Sequence, residues 1–192
     1  MKRTLLSILI ASGLLTHVFP GYSATSIPAS TVLETSGEEA LTVDLLTAFA
    51  ERLRLMPDVA TWKHLNGKDI DDPGREQQLL NTLEEKGKAL GLSSHLVRAF
   101  FQSQFEAAKL YQKQYIRSQG EKLSTAKAPD LNQETRPKIS ALTNKILKLL
   151  GELNHDDRSV YLSGVALKNH SEILREFDKE VIRLTLSTIK TR

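Results

Sequence analysis

The sequence predicts an all-α protein: a bundle of about six helices, with a long third helix and the C-terminal helices packed on the rest. Three observations carry this. Leucine, phenylalanine and valine recur near helical spacing through most of the chain. Ser, Asp, Asn and Gly stand where helices should begin and end. No run makes a convincing strand, and no internal repeat is present.

The 192 residues are 40% hydrophobic and 26% charged, the composition of a soluble single domain able to bury a core. There is no cysteine, so stability rests on packing alone and sulfur chemistry is excluded. Residues 1–24 read as a secretory signal. Lys2 and Arg3 precede an apolar run from Leu5 to about Val18, followed by Pro20 and small residues. That run is shorter than the ~20 residues a membrane anchor needs. Cleavage is expected near Ser23/Ala24. Ser23 is the better site, because Gly21 and not the bulky Tyr22 then stands third before the cut. This directs the protein to the periplasm or outside the cell and leaves residues 25–192 as one helical domain. Loss of Lys2 and Arg3 lowers the formal charge from +3 to +1. The mature protein is then too weakly basic to imply nucleic acid or an anionic membrane as a partner.

The elements follow in order. Residues 26–36 read as extended. The first helical run starts where Ser36 and Glu39 make a capping-box pattern. It carries Leu41, Leu45, Phe49, Leu53 and Val59, is kinked or split by Pro57, and stops at Asn66-Gly67. Asp72-Pro73 opens a second helix as N-cap and first helical position. That helix continues through Leu79, Leu80, Leu83 and Leu90 and ends near Gly91. Ser93 or Ser94 caps the long third helix, which Gly120 ends. A polar linker spans residues 121–130. Three further helices are expected at about 137–153, 158–168 and 171–190, with Leu142, Ile146, Leu149, Leu150 and Leu153 facing the core.

Phosphate loops, nucleophile elbows and metal-ligand spacings are missing, and His64, His95, His155 and His170 are scattered. What remains is a set of polar residues on helices that otherwise carry core positions. Arg52 and Lys63 are eleven residues apart, about three turns, and share a face if the helix continues through Pro57. Ala108 and Gln112 share a face of the third helix. Arg75 and Glu76 lie in the first turn of the second, where free backbone amides favour polar oxygens. Taken singly, each has an ordinary structural reading: Arg52 beside Glu51 on a solvated face, Lys63 reaching to solvent, Arg75 and Glu76 as capping. Together they describe a pocket for a small dianion carrying a hydroxyl and another polar oxygen.

The ordered set resembles the all-α chorismate mutase family. It comprises an Arg, a Lys eleven residues later, D-x-x-R-E at a helix start (Asp72–Glu76), and a glutamine pattern ending at Gln112. The resemblance covers about Leu41 to Gln112. The N-terminal segment and the helices after Gly120 are similar to the secreted, monofunctional subclass, whose pocket lies within one subunit. The resemblance implies a catalytic core at about 37–120 and a C-terminal helical part at 121–192. It implies that Arg52 binds a substrate carboxylate, and that Lys63 reaches the ether oxygen and the enolpyruvyl carboxylate. Asp72, chiefly through its backbone, and Glu76 would hold the ring hydroxyl, and Arg75 is a second pocket arginine. Gln112 would hydrogen-bond the ether oxygen. Arg136 would complete the carboxylate clamp from the C-terminal half. Ala108 departs from the pattern, since several relatives carry Ser or Thr there; a backbone group, a water or Lys109 is expected to compensate.

The implied reaction is conversion of chorismate to prephenate, a [3,3] rearrangement that needs no cofactor, metal, base or nucleophile. The implied assembly is a homodimer with one pocket per subunit and no membrane contact after signal removal. The competing reading is a secreted helical adaptor or chaperone-like protein without catalysis. That reading requires Lys63 and Gln112 to be exposed and the first three helices to enclose no pocket.

Overall fold

The computed structural model describes residues 29–192, with side chains from residue 37 onward; the signal segment lies outside the described residues. Seven α-helices are described: α1 Ala29–Arg54, α2 Met56–Leu65, α3 Pro73–Lys88, α4 Ser94–Gln119, α5 Arg136–Glu152, α6 Gly164–Asn169 and α7 Lys179–Thr185. Two short strands, β1 Val160–Leu162 and β2 Ile189–Thr191, pair in parallel.

Proline and caps set the boundaries around the pocket. Pro57 lacks an N–H, so the first run breaks at Leu55 into α1 and α2. Leu55 keeps right-handed helical angles (φ −82°, ψ −10°), which limits the break to one residue. Gly67 ends α2 with φ +59°, a region open to glycine without strain. Asp72 caps α3, its side chain accepting from the Arg75 amide at 3.1 Å, with Pro73 as the first helical residue. Ser93 caps α4 by accepting from the Leu96 amide at 3.1 Å. Before α5, Asp130 accepts from the amides of Asn132 and Gln133, and the chain winds through a single wide turn, Leu131–Thr135. That turn delivers Arg136 as the first residue of α5.

The core is one cluster. α1 packs on α5, while α2, α3 and α7 pack on α4. Phe49 of α1 meets Phe100 of α4 at 5.9 Å between ring centroids, and Phe100 meets Phe101 edge-on at 5.4 Å. Leu45, Leu46, Leu53, Leu96, Ile146 and Leu150 complete its interior.

Three expectations need correction. Residues 29–36 are helical and not extended, and Ser36 lies inside α1 and not at its start; no proline or glycine stands between Ala29 and Ser36 to stop the helix. The strand-free reading fails at Val160–Leu162 and Ile189–Thr191. The expected helices at 158–168 and 171–190 are correspondingly shorter. Ser163 starts α6 by accepting from the Ala166 amide, and Asp178 starts α7 by accepting from the Glu180 amide. Of the leucines spaced along the second helix, Leu80 and Leu83 are buried, while Leu79 and Leu90 are 38% and 40% exposed.

Gly87 sets how closely α3 approaches α4. A Cβ there would lie 2.6 Å from Val97 Cγ2, and a β-branched residue on a helix has little freedom to turn away. Gly87→Ala is expected to destabilise the fold by a net ~1–2 kcal/mol. Overpacking costs about 1–3 kcal/mol, against a helix-propensity gain of up to about 1 kcal/mol. Chemical denaturation reads this directly, and a midpoint equal to or above wild type would show that the two helices can separate freely.

Candidate active site

A cavity of about 290 Å³ lies between α2, α3, α4 and the start of α5. Its lining includes all seven residues singled out from the sequence: Arg52, Lys63, Asp72, Arg75, Glu76, Gln112 and Arg136. The helix break at Leu55 does not separate Arg52 from Lys63, because both still face this cavity. Met56, Val59, Leu83, Phe105 and Ala108 supply an apolar wall. Six basic side chains (Arg52, Lys63, Arg75, Lys86, Lys109 and Arg136) face two acidic ones, Asp72 and Glu76. A cavity so biased attracts anions.

Arg52 is 5% exposed. Its Nη1 donates to the Gln104 carbonyl at 3.4 Å and its guanidinium lies 5.8 Å from the Phe105 ring centroid. Its Nε is buried without a hydrogen-bond partner. Burial pushes its pKa down to about 10, leaving it charged at neutral pH. A buried guanidinium with a free donor is an unusual expense in a core, and an incoming carboxylate would relieve it.

Lys63 is half-buried and donates to the Ile70 carbonyl at 2.8 Å. That uses one of three ammonium protons and leaves two for a ligand. Burial lowers its pKa; Asp72, Glu76 and Asp71 oppose this, while Arg136 adds to it. Gln112 is 5% exposed. Its Nε2 donates to the Ala108 carbonyl at 3.2 Å and approaches the Met56 sulfur at 3.5 Å, while its Oε1 is buried and unpartnered. The carbonyl of Ala108 therefore orients this amide. One N–H is taken by Ala108 and the other points at the Met56 sulfur, a weak acceptor that a ligand oxygen would displace.

Asp72 and Arg75 are exposed at the rim, and Glu76 is half-buried. Arg136 is half-buried and donates to the Asn132 side chain. Burial lowers the Arg136 pKa, as does the nearby Arg75; two guanidiniums held this close favour an anion between them.

Two basic residues extend the set read from the sequence. Lys109 follows Ala108 directly, and Lys86 of α3 donates to Asn144 of α5 at 2.9 Å. Lys86 lies three residues beyond Leu83 and seven beyond Leu79, the helical spacing that puts it on their face. That spacing was the available signal.

Residues 39–113 match the family model described as chorismate mutase type II. A monofunctional chorismate mutase of Enterobacter agglomerans is 27% identical over 182 residues, covering 92% of this chain and 98% of that protein. A secreted chorismate mutase of Yersinia pestis is 26% identical over 149 residues, covering 74% and 78%. The crystal structure of a chorismate mutase from Burkholderia thailandensis superposes with a TM-score of 0.63 at 26% identity, covering 77% of this chain and 98% of that one.

Proposed function

We propose that this chain, with its chorismate mutase type II domain over residues 39–113, converts chorismate to prephenate. The observation that carries the reading is the convergence of seven polar residues from separate helices on one cation-rich cavity. The adaptor reading required Lys63 and Gln112 to be exposed; one is half-buried and the other buried.

The chemistry moves no proton to or from the protein. Arg52, Arg136 and Arg75 hold the two carboxylates so that the enolpyruvyl chain folds over the ring, an orientation effect. Glu76 and the Asp72 backbone hold the ring hydroxyl. Lys63 and Gln112 donate to the ether oxygen as its bond to the ring breaks and negative charge grows on it. That interaction strengthens in the transition state and so lowers the barrier. The apolar wall from Met56 to Ala108 keeps bulk water from weakening these contacts.

Loss of chorismate absorbance with purified protein lacking residues 1–24 tests the activity; no loss beyond the uncatalysed rate rejects it. Arg136→Ala isolates the clamp. Removing a charged hydrogen bond to a carboxylate is expected to lower kcat/KM by ~10–100-fold. A change below about twofold, with stability within ~0.5 kcal/mol of wild type, would make Arg136 an ordinary helix-start residue.

Export follows the N-terminal segment and agrees with a relative described as secreted. No described helix is long and apolar enough to cross a membrane. The homodimer is implied by the family resemblance; that one chain supplies all seven residues supports one pocket per subunit.

A further inference from the structure

We propose that Lys109 is a positioning residue for the substrate's ring hydroxyl, acting through Glu76. This rests on the chorismate mutase reading above. Lys109 lies on α4, one residue after Ala108 and three before Gln112. Its side chain is 15% exposed and borders the cavity. Its Nζ stands 3.2 Å from Glu76 Oε2, 2.7 Å from Glu106 Oε1 and 3.8 Å from Asp71 Oδ1.

The helical neighbour Glu106 is a local partner, but Glu76 and Asp71 belong to α3 and the segment before it. Lys109 therefore ties α4 to the turn that opens α3. The same turn is held from the other side by Lys63, through the Ile70 carbonyl at 2.8 Å. Lys113 takes Asp71 at 2.7 Å, which leaves Lys109 as the ammonium on Glu76. Burial opposes the charge on Lys109, but the hydrogen bonds to Glu106 and Glu76 outweigh it and raise its pKa. It stays a cation across the neutral range.

A carboxylate that must accept from a hydroxyl works best with one oxygen fixed and the other free. Lys109 fixes Glu76 Oε2 at 3.2 Å, and Oε1, with no side-chain partner among the described residues, is free to accept from the ligand on the cavity. Ala108 offers no side-chain donor of its own, so this face of α4 contributes polarity at Lys109 and Gln112 instead. A hydroxyl contact is the same in ground and transition states. Its loss should raise KM and leave kcat nearly unchanged.

The test crosses two enzymes with two substrates: wild type and Lys109→Met, on chorismate and on an analogue whose ring hydroxyl is replaced by hydrogen. On chorismate, Lys109→Met should raise KM by ~10-fold, the scale of one hydrogen bond to a charged group, with kcat within about twofold. On the deoxy analogue the two enzymes should differ by less than about twofold, since the contact is already absent. Lys109→Arg, which can still pair with Glu76, should restore KM on chorismate to within about threefold. Equal losses on both substrates, or a loss in kcat and not KM, would make Lys109 a structural clip and overturn the proposal. A wild-type enzyme that fails to consume chorismate would instead reject the underlying reading.

Discussion

Replacing Arg52 with methionine is expected to stabilise the fold while lowering kcat/KM by about 10³-fold. The two effects share one cause. The guanidinium meets the Gln104 carbonyl at 3.4 Å and the Phe105 ring, and its Nε has no hydrogen-bond partner among the described residues. A pKa lowered by burial to about 10 corresponds to roughly 3 kcal/mol against the charged form. Because the folded-state pKa of this base lies below its unfolded value, the penalty is fully present below about pH 10, fades as pH rises above that, and is gone above the unfolded value. Methionine has similar length, fills the space and carries no charge, so the gain should be ~1–3 kcal/mol and flat across neutral pH. Activity moves the other way. Without Arg52 a substrate carboxylate enters a buried site lacking its charged donor, a loss of about 4 kcal/mol, or about 10³-fold. Denaturation with and without prephenate should show the product stabilising wild type and not the variant. A variant that is less stable than wild type, or that keeps its response to prephenate, would show that Arg52 serves the fold and not the substrate.

That trade also explains how much of the molecule was legible from sequence. The elements around the site were readable because their signals are local. Pro57 removes one donor, Asp72-Pro73 caps and starts α3, and Ser93 caps α4. Each acts within a turn of itself. That Arg52, Lys63 and Gln112 line one cavity was partly readable for a related reason, since charged and polar residues on otherwise apolar helix faces are costly and their spacing reports a shared direction; Arg136 came from the family resemblance alone. The C-terminal region was not readable. β1 and β2 are three residues each, and Val160 pairs with Ile189, so neither strand exists without a partner 29 residues away. The start of α1 was misread because Ser and Thr between Ala29 and Ser36 are weak helix formers that still permit a helix. Lys109 stood in plain sight beside Ala108, but its weight depends on Glu76 arriving from another helix. His170, one of the scattered histidines, is half-buried against Glu39 at 2.8 Å, a contact across 131 residues that no local signal reports.

Gln112→Glu is expected to make turnover depend on pH where wild type does not. In wild type an amide donates at any pH. Arg52 holds its charge until about pH 10; burial and Arg136 lower the Lys63 pKa against Asp72, Glu76 and Asp71, but a lysine starts far above neutrality. kcat/KM should therefore be nearly flat from mildly acidic to neutral pH. Ionised glutamate at position 112 has no proton to give, and its charge repels the negative charge growing on the ether oxygen. It would also face the Ala108 carbonyl, which now accepts from Nε2 at 3.2 Å. At neutral pH both effects act together, and the loss should exceed the ~10²-fold typical of deleting one preorganised donor. Protonation restores a donor, so activity should rise as pH falls through the pKa of the introduced acid. Burial and the anionic substrate raise that pKa, while Lys63 and the arginines lower it. Recovery should be incomplete even in acid. The amide has two N–H groups, one on Ala108 and one that can pass from the Met56 sulfur to the substrate, whereas a carboxylic acid has a single O–H to divide between them. The measurement is kcat/KM against pH for both proteins. A glutamate variant with the flat wild-type profile would mean that position 112 does not touch the ether oxygen. Full recovery at low pH would mean that the Ala108 contact plays no part in aiming the donor.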